Sequence, residues 1–467
     1  MAIEFSRSQI LDRIKLENPW WISRKIDPFY GDLKKREYFK SLFPYIQGTK
    51  VKRALVLMGP RRVGKTVIIH HAIQELLNIG INEKNICYFS IENPLYNSIS
   101  LEEFIQLFIE INNPKEGVKY IFFDEIQYLK NWEIHLKSLV DSYHDYKFIV
   151  SGSAAAALKL KSNESGAGRF TDFLLPPLTF HEYLVLTEND NIIEEKPSEL
   201  IQNKFEYNVL DISLLNNLFI EYINYGGYPE LSLNESIREN PSRYIKSDII
   251  DKVLLRDLPS LYGINDIQEL NNLFTHLSYN SGLETSLEEL SKKSGISKNT
   301  IKKYITYLEA AFLIKVINRI DKNAKTFKRA VVFKVYLTNP SLRSALFQPI
   351  KPGDDHFGAM VETAIFSQWQ HNFHGSDLYY ARWKTGEIDI VNLDARQKPF
   401  WCIEIKWSNS CVNNLNRLSE QIKFCQTHHL DYLKATTIDI EKEVEYKGVN
   451  IHFTPSSLYC YTVGRNL

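Results

Sequence analysis

One octapeptide constrains this chain more than any other feature. Gly59-Pro60-Arg61-Arg62-Val63-Gly64-Lys65-Thr66 follows the pattern G-x-x-x-x-G-K-[ST]. It comes directly after an apolar run, Arg53–Met58 (RALVLM), and opens a helical pattern from Lys65 to about Leu77. The glycines let backbone N–H groups curl round a phosphate, and the helix N-terminus adds its positive dipole end. In such a loop Lys65 reaches the β- and γ-phosphates, and Thr66 holds Mg²⁺ through its hydroxyl. Gly59 through Thr66 are therefore the candidate residues for binding ATP with Mg²⁺.

The segments after the loop fit the same chemistry. Apolar strands at Ile86–Ser90, Val118–Asp124 and Lys147–Ser151 alternate with helical stretches at Leu101–Ile111 and Trp132–Tyr143. Strands alternating with helices mean βαβ units and a parallel sheet, and strands this apolar suit a sheet covered on both faces. The third strand ends in Asp124-Glu125. Asp124 would hold Mg²⁺ through water, and Glu125 would polarise the attacking water as general base. A paired Asp-Glu points to ATP hydrolysis more than to a GTP switch. The next strand ends in Ser151-Gly152-Ser153, so Ser151 or Ser153 would lie between the acidic and phosphate elements and sense the γ-phosphate or the water. Arg169 follows a small-residue loop and would stabilise transition-state charge, in cis or from a neighbouring subunit.

The front half resembles the AAA+-like ATPases of the prokaryotic AAA_14 group. The residues that carry the likeness are GPRRVGKT, FFDEIQ (Phe122–Gln127), VSGS (Val150–Ser153), GRF (Gly168–Phe170) and LPPLTFHEY (Leu175–Tyr183), over roughly residues 30–185. The resemblance implies a nucleotide-driven machine, with Asp124, Glu125 and Arg169 at its metal, base and finger positions. The family usually keeps a Ser-Ser run after the sensor Gly-Ser. Here that run is Ala154–Ala157, which puts any extra polar sensor contact in doubt.

The chain has 467 residues and a mass of 54.5 kDa, enough for two to four domains. It is 44% hydrophobic and 24% charged, a globular balance. Its 56 Lys+Arg match 56 Asp+Glu, which excludes a basic coat over the whole surface but allows local patches. Five scattered cysteines argue against a disulfide framework and for a reducing cytosol. No segment reads as a membrane span, and the first twenty residues lack the apolar core of a secretory signal. The expected location is cytoplasmic. His70-His71 and His428-His429 are adjacent pairs that face different ways on a helix, so neither makes a metal site alone. Trp20-Trp21 reads as core packing.

The middle of the chain is mostly helical between 180 and 262, with a polar linker near Glu188–Ser198 and a Gly226-Gly227 turn. Tyr225–Glu230 (YGGYPE) resembles the turn of proteins that join this ATPase to a DUF4143-type C-terminal region. Further on, Ser286–Lys293, a Gly295 turn and a Ser297-capped helix to Leu308 read as a helix-turn-helix. A strand at Leu313–Ile317 runs into a basic arm carrying Arg319, Lys322, Lys325, Lys328 and Arg329. Together these read as a winged helix. Lys298, Asn299, Lys302 and Lys303 lie on the exposed side of its second helix. Two uses stay open: duplex DNA binding and protein packing.

In the tail, Glu362 lies on an amphipathic helix, Asp389 on the strand opened by Gly386-Glu387, and Glu404 and Lys406 on the strand FWCIEIKW (Phe400–Trp407). Glu404 and Lys406 alternate with Ile403 and Ile405, so both point to one face. Asp389, Glu404 and Glu362 would hold Mg²⁺ beside a phosphodiester, with Lys406 as the catalytic cation. This order resembles the PD-(D/E)xK nuclease superfamily over about residues 355–467. That fold also hosts members that do not cut, so an active nuclease, a DNA-binding remnant and a chance charged strand stay open.

The expected architecture is α/β: a P-loop parallel-sheet ATPase domain (1–185), a helical lid (186–265), a winged helix (266–330) and a C-terminal α/β restriction-endonuclease-like domain (331–467). The expected function is ATP hydrolysis coupled to binding of double-stranded DNA, with Mg-dependent cleavage by the tail as an added activity. A homo-oligomer or a protein partner is compatible with this pattern. The alternatives are a nucleotide-switched interaction protein with a non-cutting tail, and a transcription regulator acting through the winged helix.

Overall fold

The structure, a computed structural model, describes residues 6–97, 99–152, 168–197, 205–325, 332–369 and 378–466. Ser153, Lys328 and Arg329 lie outside the described residues, as does Ala154–Ala157. The chain divides into two compact units, Met1–Pro176 and Pro177–Leu467.

The first unit is built on β1 (Ala54–Met58), β2 (Ile86–Ser90), β3 (Lys119–Asp124), β4 (Tyr146–Gly152) and β5 (Phe170–Leu174). All five run parallel in the order β2-β3-β4-β1-β5. All five residues of β1 are buried, as an apolar strand covered on both faces must be. Helices Lys65–Asn78, Leu101–Asn112 and Trp132–Ser142 cover the sheet. Ser100 caps the second of them by accepting from the Glu103 N–H at 3.2 Å. The order places β4 between β1, which leads into the phosphate loop, and β3, which ends at Asp124. Strand β5 adds to the four that the apolar runs predict: its residues vary in burial, unlike the strands beside it. The lead-in also joins this core. Trp20 is fully buried, and the indole N–H groups of Trp20 and Trp21 both donate to the Ile86 carbonyl, at 3.1 and 2.7 Å.

The second unit begins with a Thr179-capped helix, Phe180–Leu186. In place of the expected polar linker, the chain forms a hairpin of β6 (Ile193–Pro197) and β7 (Phe205–Val209), held by antiparallel pairing with most of β6 exposed. Helix Ile212–Tyr225 leads to the Gly226-Gly227 turn. A Cβ on Gly227 would come within 2.3 Å of Asn339 Oδ1, so close approach demands glycine there. Helical segments from Pro229 to Tyr262 and helix Ile267–Tyr279 continue the unit.

One nine-stranded sheet then organises the rest. Its strands are β8 (Glu284–Ser286), β9 (Ile314–Ile320), β10 (Val332–Leu337), β11 (Leu378–Trp383), β12 (Gly386–Leu393), β13 (Pro399–Glu404), β14 (Tyr432–Thr437), β15 (Lys442–Tyr446) and β16 (Val449–Pro455). The order is β15-β16-β14-β13-β12-β11-β9-β10-β8. Helices Leu287–Ser294 and Lys298–Ala310 sit between β8 and β9. The boundary expected at 330/331 falls between two paired strands, β9 and β10, and β9 also pairs with β11. The helix-turn-helix strands and the tail strands therefore share a sheet, because β9 has open hydrogen-bonding groups on both edges and both are used. Helices Phe357–Trp369 and Ser456–Arg465 pack in the main core of this unit with Phe219, Tyr222, Ile365 and Leu458.

Among the described residues, no helix is long and apolar enough to cross a membrane.

Candidate functional site

The phosphate loop runs from the end of β1 into helix Lys65–Asn78, and its two glycines are required for different reasons. A Cβ on Gly59 would lie 2.1 Å from the Leu175 carbonyl oxygen. Gly64 has open space around it but φ +93°, a left-handed conformation that strains any side chain. Arg62 is also left-handed, with φ 64°. Pro60 and Val63 are buried, while Arg61 is half-buried. Lys65, 4% exposed, donates back into the loop to the carbonyls of Gly59 at 3.1 Å and Pro60 at 2.7 Å. Arg36, which no sequence motif selects, locks the loop from outside. Its guanidinium donates to the Val63 carbonyl at 2.8 Å and to the Pro176 carbonyl at 3.1 Å.

Asp124 is brought to this loop from β3. The Thr66 hydroxyl donates to Asp124 Oδ2 at 2.7 Å, and the buried Tyr88 hydroxyl donates to the same oxygen at 2.9 Å. Sequence reasoning misses Tyr88, although a strand with a polar aromatic beside an acidic strand end is a usable signal. Ser151, at the end of β4, donates to Asp124 Oδ1 and accepts from the Glu125 N–H at 3.1 Å. Of the two expected sensors, Ser151 thus joins both acidic residues, and Ser153 lies outside the described residues. Glu125 has φ 55°, sparsely populated for a residue with a side chain, and its carboxylate accepts from Gln127. Burial, and then the Glu125 charge, pushes the Asp124 carboxyl above its ordinary pKa against the hydrogen bonds from Ser151, Thr66 and Tyr88.

The donor set fits Mg²⁺. A hydroxyl and a carboxylate, both hard oxygen ligands, meet next to a lysine-bearing loop. Arg169 is not brought to this point. It precedes β5, where its carbonyl accepts from the N–H of Ala54 at the start of β1, and the phosphate loop follows the other end of that strand. Its side chain pairs with Asp141. The five residues of β1 separate it from the loop.

A second cluster lies in the second unit. Ile390 pairs with Ile403, and this register sets Asp389 opposite Glu404. Lys406 Nζ lies 2.8 Å from Glu404 and 3.5 Å from Asp389. The Lys406 N–H donates to Thr436 Oγ1 at 2.7 Å, which fixes its backbone. Glu362 reaches the cluster from helix Phe357–Trp369. Between it and Asp389 stands Lys334 of β10, which no sequence pattern singles out. Its ammonium is 2.9 Å from Glu362, 2.8 Å from Glu387 and 3.6 Å from Asp389. Tyr336 also donates to Glu362. Burial and the Asp389 charge raise Glu362 to about 7 and Glu404 to about 8. Asp389, which burial alone would raise, is instead held low by Lys406, Lys334 and the Ile405 N–H.

The three carboxylates expected to share Mg²⁺ therefore do not converge on one point. Lysines stand between them, and among the described residues no group of three or more His, Cys, Asp and Glu is placed to hold a metal. Glu404 is buried, with the Gln421 side chain hydrogen-bonded beside it. Gln421, on helix Ser419–His428, lies beside it and donates to the Glu387 carbonyl at 3.0 Å.

The expected helix-turn-helix segment forms two capped helices, and Leu287 of its apolar face is half-buried. Ser286 and Ser297 cap helices Leu287–Ser294 and Lys298–Ala310, and Gly295 makes the turn with φ 74°. Leu290, Ile296, Ile301, Ile305 and Leu308 are buried. Lys298, Asn299, Lys302 and Lys303 are exposed, Lys298 lying 3.6 Å from Glu288. Lys322 and Lys325 are exposed too. Arg319 is half-buried, 3.8 Å from Glu284 of β8.

The sheet order and the loop with its Asp-Glu strand define a P-loop nucleotide-binding fold. Residues 51–184 match the family described as AAA domain, and residues 216–352 match a domain of unknown function, DUF8612. The second match replaces the DUF4143-type region expected there. An uncharacterized protein of Haemophilus influenzae is 26% identical over 366 residues, 77% of this chain and 83% of that one. An uncharacterized protein of Methanocaldococcus jannaschii is 26% identical over 346 residues, 72% of this chain and 71% of that one. Among solved structures, the chain is similar to the Walker-type ATPase of Pyrococcus abyssi (14% identity, 68% of this chain and 96% of that one, TM-score 0.38). It is also similar to the ORC1 protein of Aeropyrum pernix in complex with DNA (13% identity, 67% and 92%, TM-score 0.32).

Proposed function

We propose that this protein hydrolyses ATP with Mg²⁺ at the phosphate loop and couples its nucleotide state to binding of double-stranded DNA. The observation that carries the hydrolysis is the Ser151 bridge, one hydroxyl bonded to both Asp124 and the Glu125 N–H. It supports a division of labour in which Lys65 would bind the phosphates, Thr66 and Asp124 would hold the metal, and Glu125 would take the proton of the attacking water. Mg²⁺ would draw charge from the β- and γ-phosphates.

The DNA reading rests on helices Leu287–Ser294 and Lys298–Ala310, set between β8 and β9, read as a winged helix. Lys298, Asn299, Lys302 and Lys303 on its second helix are exposed and suit a major groove, with Lys322 and Lys325 beside a phosphate backbone. The experiment compares ATP turnover of the wild type and of Glu125→Gln, with and without duplex DNA. Stimulation that Glu125→Gln removes supports the reading. Turnover indifferent to duplex in the wild type sinks the coupling and favours a protein partner.

A second activity is favoured by Glu404. It lies opposite Asp389, and with Lys406 drawn aside the two carboxylates would hold one Mg²⁺, which would polarise a phosphodiester while Lys406 would meet developing negative charge. Glu362 is committed to Lys334 and Tyr336 in this reading. Nicking of plasmid DNA in Mg²⁺ that Asp389→Ala abolishes is the expected result. Wild-type chain that leaves plasmid intact with both Mg²⁺ and Mn²⁺ removes it, and leaves a non-cutting tail.

A further inference from the structure

The end of the five-stranded sheet away from the phosphate loop holds a cleft of about 530 Å³. That is in the range of small-ligand pockets, about 300–1,000 Å³. Tyr45, Gln47, Lys50, Arg53, Lys147 and Thr171 supply its polar and aromatic lining. Among the described residues, no carboxylate lines it.

Lys147 is the anomaly. It lies at the start of β4, the middle strand of the sheet, and is only 8% exposed. Its ammonium makes no ion pair or hydrogen bond among the described residues. Arg53, just before β1, and Lys147 of the neighbouring strand β4 both line the cleft. Like charges lining one cleft repel, and Lys147 keeps its stem buried while its ammonium opens onto the cleft. The acids nearby are engaged elsewhere. Asp145, which lines the adjoining groove, is bonded by Lys119, and Asp141 by Arg169. A methionine would fill the space of Lys147 without that repulsion. Burial also weakens the hold of this amine on its proton, and an anion in the cleft would restore it.

The remaining donors narrow the anion. A guanidinium fork and an ammonium, with the Gln47 amide and the Thr171 hydroxyl beside them, suit tetrahedral oxygen atoms. Tyr45, half exposed on the same wall, offers a ring face. We propose that this cleft binds the phosphate group of a second ligand, through Arg53 and Lys147, separately from the nucleotide at Lys65. Two sources share that chemistry: a small free phosphate compound and the backbone of a nucleic acid.

The test uses the full chain carrying Lys65→Ala, which silences the phosphate loop. Binding of inorganic pyrophosphate and of a short single-stranded oligonucleotide is measured by calorimetry, then repeated with Lys147→Met and with Arg53→Gln added. Each added change is expected to weaken at least one probe by about tenfold or more. Loss confined to pyrophosphate identifies a small phosphate ligand, and loss that extends to the oligonucleotide identifies a backbone. Thermal unfolding shows whether Lys147→Met has kept its fold. Arg53 is exposed, so Arg53→Gln decides if that variant has not. Identical affinity for both probes with and without Arg53→Gln, or no binding of either, overturns the proposal.

Discussion

Replacing Ser151 by alanine tests the nucleotide site at its least redundant point. The fully buried hydroxyl donates to the Asp124 carboxylate and accepts from the Glu125 N–H at 3.1 Å. Losing the first bond removes a charge-assisted interaction of about 1.5–3 kcal/mol, and losing the second strands a polar N–H at about 1–3 kcal/mol. Glu125 is already strained at φ 55°, a left-handed conformation that disfavours side chains by about 1–2 kcal/mol. Without the Ser151 acceptor that peptide is free to relax, and the Glu125 carboxylate moves off the attacking water. A loss of about 2.7 kcal/mol in the transition state is about a hundredfold in rate. We therefore expect Ser151→Ala to lower kcat about a hundredfold and to change ATP affinity by no more than about threefold, since the loop itself is untouched. Steady-state turnover gives the first quantity and binding of a fluorescent ATP analogue the second. Because Ser151 acts through Glu125, Ser151→Ala added to Glu125→Gln should cost little more than Glu125→Gln alone. Full activity in Ser151→Ala, or two changes whose costs simply add, refutes the reasoning.

Further expectations concern other parts of the molecule. Gly59→Ala should abolish nucleotide binding, since the new Cβ meets the Leu175 carbonyl at 2.1 Å, whereas Gly64→Ala, in open space at φ +93°, should only weaken it; titration with a fluorescent nucleotide ranks the two. Arg36→Ala should lower the melting temperature and raise the ATP dissociation constant about tenfold, because the buried Val63 and Pro176 carbonyls lose their donor; unchanged values would mean the clamp is idle. In the carboxylate cluster, Glu362 and Glu404 hold protons up to about 7 and about 8, against 4.5 in the unfolded chain. The folded state then binds protons that the unfolded state has lost, so local stability falls as pH rises from about 4.5 to about 8. Hydrogen exchange of β12 and β13 in EDTA reads this, and exchange that slows with rising pH, after correction for the intrinsic rate, contradicts it.

Some of this molecule is written plainly in its sequence. Strands β1 to β4 are short apolar runs bounded by turns, and burial on both faces makes such runs stand out. Asp389 and Glu404 are legible because alternation along each strand fixes a face. The hairpin β6/β7 is not, since IEEKP carries charge at most positions and is held by pairing, not burial. Arg36 and Lys334 are hidden for another reason. Each is one basic residue among many, and only the folded chain brings it to a carbonyl or carboxylate far away in sequence. The shared sheet is hidden as well, because edge pairing of β9 with both β10 and β11 leaves no pattern along the chain.

Nucleotide state is proposed to govern duplex binding. The direct measurement is the affinity of the Glu125→Gln chain for duplex DNA at fixed salt, with ATP and then with ADP. The account predicts a difference of at least about fivefold between the two nucleotides, and loss of duplex binding in both when Lys302 and Lys303 are changed to glutamate. Equal affinity with ATP and ADP, or binding indifferent to Lys302 and Lys303, contradicts it.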